Sequence, residues 1–195
     1  MIKSHIYMIE DIISQEDRET LINVIQEKCI DERTFNESTN TTSKAVGLPD
    51  FEDYVDEIVK RVLNSIADKI YNYGFHIYDC SPPILRKIYG PTNYHVDNVI
   101  DRDDNETVPI NKLRCLSVVL ALNSEYDGGE FCFPQQNKTI KLKAGQAVLF
   151  PPYWTHPHYT KKLKNGTFRY TLTTWFYGSC LPPPPEEAFL NLGRF

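Results

Sequence analysis

The chain has 195 residues, 24% of them charged, and a formal net charge of -5 at pH 7. That acidic balance excludes a broad phosphate-binding surface, because non-specific nucleic-acid affinity comes from clustered Lys and Arg. No apolar run approaches the roughly 18 residues of a membrane span, and Lys3, Glu10 and Asp11 interrupt any signal-peptide core, so a cytoplasmic protein is expected. The length suits one domain over 1–195. Its expected parts are mainly helical support (1–80), a β-rich core (81–178) and a Pro-rich tail (179–195).

In chain order, Ser14 followed by Asp17 three residues later predicts a capped helix over 15–28, with Leu21, Ile22, Val24 and Ile25 on its apolar side. The polar segment from Asp31 to Gly47 reads as loop. Tyr54, Val55, Ile58, Val59, Val62, Leu63, Ile66 and Ile70 recur at helical spacing, which predicts a second helix over 51–73 stopped by Gly74. Strands dominate from Phe75 to Tyr177. Within that stretch, Asp127-Gly128-Gly129-Glu130 reads as a tight turn before the strand Phe131-Cys132-Phe133. Lys143-Ala144-Gly145-Gln146 is another turn, leading into the apolar strand Ala147-Val148-Leu149-Phe150. The basic run Lys161, Lys162 and Lys164 reads as a solvated loop. Leu181-Pro-Pro-Pro-Pro185 reads as a stiff tail. Five cysteines (Cys29, Cys80, Cys115, Cys132 and Cys180) are odd in number and lack C-x-x-C spacing, which points to reduced thiols.

The chemistry is concentrated in Tyr94-His95-Val96-Asp97-Asn98, Thr155-His156-Pro157-His158 and Arg169-Tyr170. Histidine and carboxylate two residues apart on a strand face the same way, so His95 and Asp97 can serve one metal ion. A second histidine would complete the facial triad of non-haem Fe(II) sites, whose open positions are where reactants bind. His156 and His158 also alternate, and spacing alone does not choose between them. His5 and His76 have no carboxylate at metal-ligand spacing.

His95-Val-Asp97, Arg114-Cys-Leu-Ser117 entering Ala121-Leu122-Asn123, the Gly128-Gly129-Glu130 turn, Gly145 to Pro151, His156, and Arg169-Tyr170 with Trp175 stand in an order that resembles the 2-oxoglutarate and Fe(II)-dependent dioxygenases, in their prolyl 4-hydroxylase-like branch. Ile6 to Ser14 is similar to the family's opening strand and helix cap. The resemblance implies a mainly β fold with supporting helices: a double-stranded β-helix (jelly roll, cupin-like barrel) flanked by N-terminal α-helices. It implies Fe(II), 2-oxoglutarate and O2, with ascorbate as a further cofactor. Its metal ligands would be His95, Asp97 and His156, the last because the family's distal histidine follows a Phe-Pro dipeptide such as Phe150-Pro151.

Arg169 is then the anchor for the far carboxylate of 2-oxoglutarate, since a planar guanidinium pairs with carboxylate through two parallel hydrogen bonds. Arg169, Thr171, Thr173 and Trp175 should share the barrel's inner face. By the same resemblance Tyr89 would donate a phenol hydrogen bond to the cosubstrate, and Thr171 and Ser117 would line it. Three departures stand out: a short loop between Tyr89 and His95, Ala121 where some prolyl hydroxylases carry a tyrosine, and a slightly long interval from His156 to Arg169.

The activity implied is hydroxylation of a C–H bond coupled to decarboxylation of 2-oxoglutarate to succinate and CO2. Asp97 favours hydroxylation over halogenation, for which related enzymes carry a small residue. The implied partner is a proline-containing peptide or protein, with another amino-acid side chain or a small molecule as the alternative. A cupin-like isomerase or metal-binding module is the alternative of a different class, and it would have no need of Arg169. The acidic segment from Asn98 to Asn111 is expected to form a lid over the site.

Overall fold

A computed structural model describes residues 4–29, 34–35, 43–48, 50–97 and 114–179. Helix α1 (Gln15–Lys28) begins where the Ser14 hydroxyl accepts from the Asp17 amide, and Glu16 and Asp17 in its first turn suit the positive end of the helix dipole. Helix α2 (Asp53–Tyr71) buries Val55, Ile58, Val59, Val62, Leu63, Ile66 and Ile70. Tyr54, counted in the same stripe, is exposed instead. Gly74 follows with a φ of +87°, the left-handed conformation that ends the turn.

Strands β1 (Tyr7–Ile9), β2 (Thr34–Phe35), β3 (Ser43–Leu48), β4 (His76–Cys80), β5 (Ile84–Ile88), β6 (Thr92–His95) and β7 (Arg114–Ala121) are followed by β8 (Asp127–Gly128), β9 (Phe131–Phe133), β10 (Lys138–Ile140), β11 (Ala147–Phe150), β12 (His158–Thr160), β13 (Leu163–Lys164) and β14 (Arg169–Ser179). The major sheet runs β1-β11-β7-β14-β5-β3-β2, with β4 also on β14; the minor sheet runs β10-β9-β12-β6; β13 and β8 form a short pair. Every pairing is antiparallel. β2 and β3 fall where a loop was expected. β3 pairs with β5 from Ala45↔Ile88 to Leu48↔Leu85, so the edge of β5 recruits a segment whose own pattern is too polar to announce a strand.

Alternation along the major sheet divides the core in two. Leu85, Leu116, Val118, Leu120, Leu149, Leu172 and Phe176 face the helices and pack with Leu21, Ile25, Val59, Ile66 and Ile70. Val119, Ala121, Val148 and Phe150 face the other way, onto Phe131 and Phe133 of the minor sheet. Two antiparallel sheets thus close over one interior, with both helices outside it. This is the jelly roll with helical support. Among the described residues no helix is long and apolar enough to cross a membrane. Cys29, Cys80, Cys115 and Cys132 are free thiols. The Pro-rich tail and Cys180 lie outside the described residues.

Both turns read from glycine form as expected. Gly145 has a φ of +81° and Gly128 one of +76°. A Cβ on Gly128 would also collide with the Lys162 carbonyl oxygen, just before the paired β13 strand. Gly128→Ala should therefore lower stability by about 2 kcal/mol or more, read as a lower urea midpoint at unchanged slope. An unchanged midpoint would show that the β8–β13 contact yields freely.

Candidate metal centre

The minor sheet builds the site. β12 pairs with β6 so that His158 lies directly opposite His95, and a register shift follows between His158 and Thr160. Opposed residues share a face, which brings the two imidazoles to a ring separation of 4.4 Å. His158 is also walled in by Phe133 and Phe150, at ring separations of 5.4 and 4.6 Å. Asp97 completes the group. Its Oδ1 is 3.1 Å from His95 Nε2 and 3.7 Å from His158 Nε2, and one ligand atom from each of the three residues lies within 4.8 Å of the others.

The hydrogen bonds settle which nitrogens are free to ligate. His95 Nδ1 lies 2.7 Å from the Asn93 carbonyl oxygen, and His158 Nδ1 lies 3.2 Å from that of His156. A carbonyl only accepts, so both Nδ1 atoms carry protons and both Nε2 lone pairs face Asp97. Lone pairs and a carboxylate oxygen at these separations require a shared cation, either a proton or a metal ion. Two neutral imidazoles and one carboxylate on one side suit a divalent first-row metal such as Fe(II) with positions left open.

The electrostatics agree. Burial would raise the Asp97 carboxyl, but the contacts with His158 and His95 outweigh it and hold Asp97 well below the usual carboxylate range. The Ser117 hydroxyl is near enough to add to this, although it makes no hydrogen bond of ordinary geometry. Burial would lower His95, but the hydrogen bond and charge of Asp97 and the Asn93 carbonyl raise it overall. Burial lowers His158, so the proton held without metal sits between His95 and Asp97. Metal must displace that proton. Mn(II) affinity should therefore fall by about tenfold per pH unit once pH drops below the raised His95 value, with the loss beginning above His95's ordinary 6.5. A pH-independent affinity between pH 6 and 8, measured by calorimetry, would contradict this ligand set.

His156 does not converge on this group. The chain turns at 153–156, with the His156 amide donating to the Tyr153 carbonyl at 2.9 Å, and β12 begins only at His158. Both ring nitrogens of His156 are engaged elsewhere: Nε2 donates to the Ser4 carbonyl at 2.7 Å, and Nδ1 accepts from the Thr155 hydroxyl at 2.9 Å. Its place is a clasp on the amino-terminal segment. The slightly long interval to Arg169 was the available signal, since counting from His158 shortens it by two residues.

The inner face of β14 carries the rest. Arg169 is 2% exposed, its Nη1 donates to the Gly129 carbonyl at 2.6 Å, and its guanidinium lies 4.7 Å from the Phe131 ring centroid. Desolvation lowers its pKa to about 10. Among the described residues no carboxylate pairs with it, and its Nε, the Ser117 hydroxyl and the Trp175 indole nitrogen are buried without hydrogen-bond partners. Buried groups of this kind need partners, and an anionic ligand reaching from the triad to Arg169 would supply one for the guanidinium. Thr171 and Thr173 are buried between Trp175 and Arg169, as expected of that face.

Tyr89 differs from expectation. It is half-buried and packs against the helix-side core, because β5 ends at Ile88, whose parity places the next residue on the opposite face. Arg114, which sequence reasoning gave no role, donates from Nη1 to the Asp97 backbone carbonyl at 2.7 Å while its guanidinium stacks 4.1 Å from the Trp175 ring centroid. It thereby holds the backbone of Asp97. The expected lid, 98–111, lies outside the described residues.

Comparison with known proteins bears on the same residues. Residues 87–177, which contain all of the residues just described around the triad, match the model of the 2OG-Fe(II) oxygenase superfamily. Over that stretch, just under half of its length, the chain is similar to the 2OG-Fe(II) oxygenase superfamily. It is 32% identical over 91 residues to mouse (Mus musculus) prolyl 3-hydroxylase 2, an alignment covering 42% of this chain and 13% of that protein. It thus spans about an eighth of the length of that relative. In fold it is similar to the viral collagen prolyl hydroxylase of Paramecium Bursaria Chlorella virus-1 in its 2OG complex, with a TM-score of 0.66, 18% identity, and coverage of 90% of this chain and 96% of that one. It also resembles a Trichoplax adhaerens prolyl hydroxylase in complex with a hypoxia inducible factor peptide fragment, with a TM-score of 0.59, 18% identity, and coverage of 90% and 84%.

Proposed function

We propose that the protein is an Fe(II)- and 2-oxoglutarate-dependent dioxygenase that hydroxylates a C–H bond of a prolyl residue in a peptide or protein. One observation carries the reading. His95 Nε2, the Asp97 carboxylate and His158 Nε2 converge at one end of the barrel interior, whose other end holds the buried Arg169, with which no carboxylate pairs among the described residues. A metal-binding module or isomerase on the same barrel would have no use for that arginine.

In this reading His95, Asp97 and His158 hold Fe(II), which supplies the activation of O2 coupled to decarboxylation of 2-oxoglutarate to succinate and CO2. Arg169 orients the cosubstrate by its far carboxylate, with Phe131 over the guanidinium excluding water and so strengthening the pair. Thr171 and Thr173 place hydroxyls along the same path. Arg114 keeps Asp97 in position from behind. The prolyl preference draws support from the relatives, whose names specify prolyl hydroxylation and, in one structure, a bound peptide.

The test is aerobic incubation of the Fe(II)-loaded protein with 2-oxoglutarate and proline-rich peptides, with succinate and peptide mass followed together. The expected result is succinate release matched by the gain of one oxygen atom at a prolyl residue. No succinate under any condition would end the oxygenase reading. Succinate with oxygen inserted only into a non-prolyl substrate would end the prolyl reading alone.

A further inference from the structure

The inner face of the major sheet holds a second arginine with no part in the mechanism above. β5 lies beside β14 with Ile88 opposite Arg169, Arg86 opposite Thr171 and Ile84 opposite Thr173. Opposed residues put their side chains on one face, so Arg86 enters the same interior as Arg169. Cross-strand rows order that interior from the metal end outward. Trp175 lies with Ser117, then Thr173 with Val119, then Thr171 with Ala121, and Arg169 comes last. Arg86 joins the Thr171 row, one row nearer the triad than Arg169.

Its charge is felt at both ends. Arg86 lowers the pKa of His95 and of Arg169, and Asp97 in turn raises that of Arg86 against the larger effect of desolvation. A dianionic cosubstrate reaching from the triad to Arg169 must pass this guanidinium. With one oxygen of the near carboxylate on the metal, its other oxygen needs a donor, which two arginines on the far carboxylate would not supply. One on each distributes the charge along the path, and the row order assigns them.

We propose that Arg86 is a second cosubstrate-binding residue, which receives the carboxylate of 2-oxoglutarate next to the metal while Arg169 receives the distal one. The inference rests on the oxygenase reading above. Mn(II)-loaded protein and two ligands separate the two ideas: 2-oxoglutarate carries both ends, whereas oxalate carries only the metal-chelating one. Calorimetry should show that the unaltered protein binds both ligands, and binding of neither would count against the oxygenase reading itself.

Arg86→Met should weaken oxalate and 2-oxoglutarate alike by about tenfold or more, the scale of one charge-assisted hydrogen bond. Mn(II) binding should be retained or somewhat strengthened, since Arg86 touches the ligand and its positive charge does not help to hold a cation at the triad. Arg169→Met should weaken 2-oxoglutarate and spare oxalate, and Arg86→Lys should fall between Arg86→Met and the unaltered protein. Unchanged oxalate affinity in Arg86→Met would overturn the proposal. So would loss of Mn(II) binding in both Arg86→Met and Arg86→Lys, which would mark the arginine as support for the triad.

Discussion

His158→Ala should abolish metal binding and turnover, whereas His156→Ala should leave both close to the unaltered protein. The first expectation follows from His158 Nε2 facing the Asp97 carboxylate, with Nδ1 tied to a backbone carbonyl. Loss of a residue that merely orients a metal ligand costs about 10–100-fold in affinity, so loss of the ligand itself should exceed that. The second follows from the two hydrogen bonds that occupy both nitrogens of His156. Its removal frees Ser4 and Thr155 and should appear as a modest loss of stability, about 1 kcal/mol, with no change at the metal. Mn(II) calorimetry and succinate release on both variants decide the matter. Retained metal in His158→Ala together with lost metal in His156→Ala would return the distal position to His156.

Arg169→Met should raise the 2-oxoglutarate concentration needed for half-saturation by about 150-fold, the equivalent of roughly 3 kcal/mol for two charge-assisted hydrogen bonds. Metal affinity should not change, because Arg169 stands at the far end of the inner face, six residues along β14 from the row of Trp175 and Ser117. Arg169→Lys keeps the charge and loses the planar fork, so it should recover only part of the deficit. Methionine also leaves the Gly129 carbonyl without its donor, and a thermal melt on the same sample separates that loss from the binding defect. An unchanged half-saturation concentration in a folded Arg169→Met protein would remove Arg169 from the cosubstrate site.

Local rules account for much of the molecule. Ser14 and Asp17 start α1 as read, the stripe from Val55 to Ile70 buries one side of α2, and Gly74, Gly128 and Gly145 take the left-handed conformations their turns require. Each depends on neighbours within a few residues, which is why composition and spacing suffice. β3 escaped because its pairing is furnished by β5 and not by its own apolar pattern. Tyr89 was misplaced because its facing depends on where β5 ends, and a shift of one residue sends a side chain to the other face.

By itself the sequence determined that His95 and Asp97 stand together, that a histidine from the 155–158 segment joins them, and that Arg169 shares a face with Thr171, Thr173 and Trp175. Those relations are set by proximity along the chain or by alternation within a strand. Only the tertiary structure decided between His156 and His158, because the choice depends on where the turn after Phe150 ends and on the register that sets His158 opposite His95. It alone also brought Arg114 to the Asp97 carbonyl and Arg86 into the interior of Arg169. Both contacts join strands far apart in sequence, where position follows from pairing across the sheet and not from any local preference of the chain.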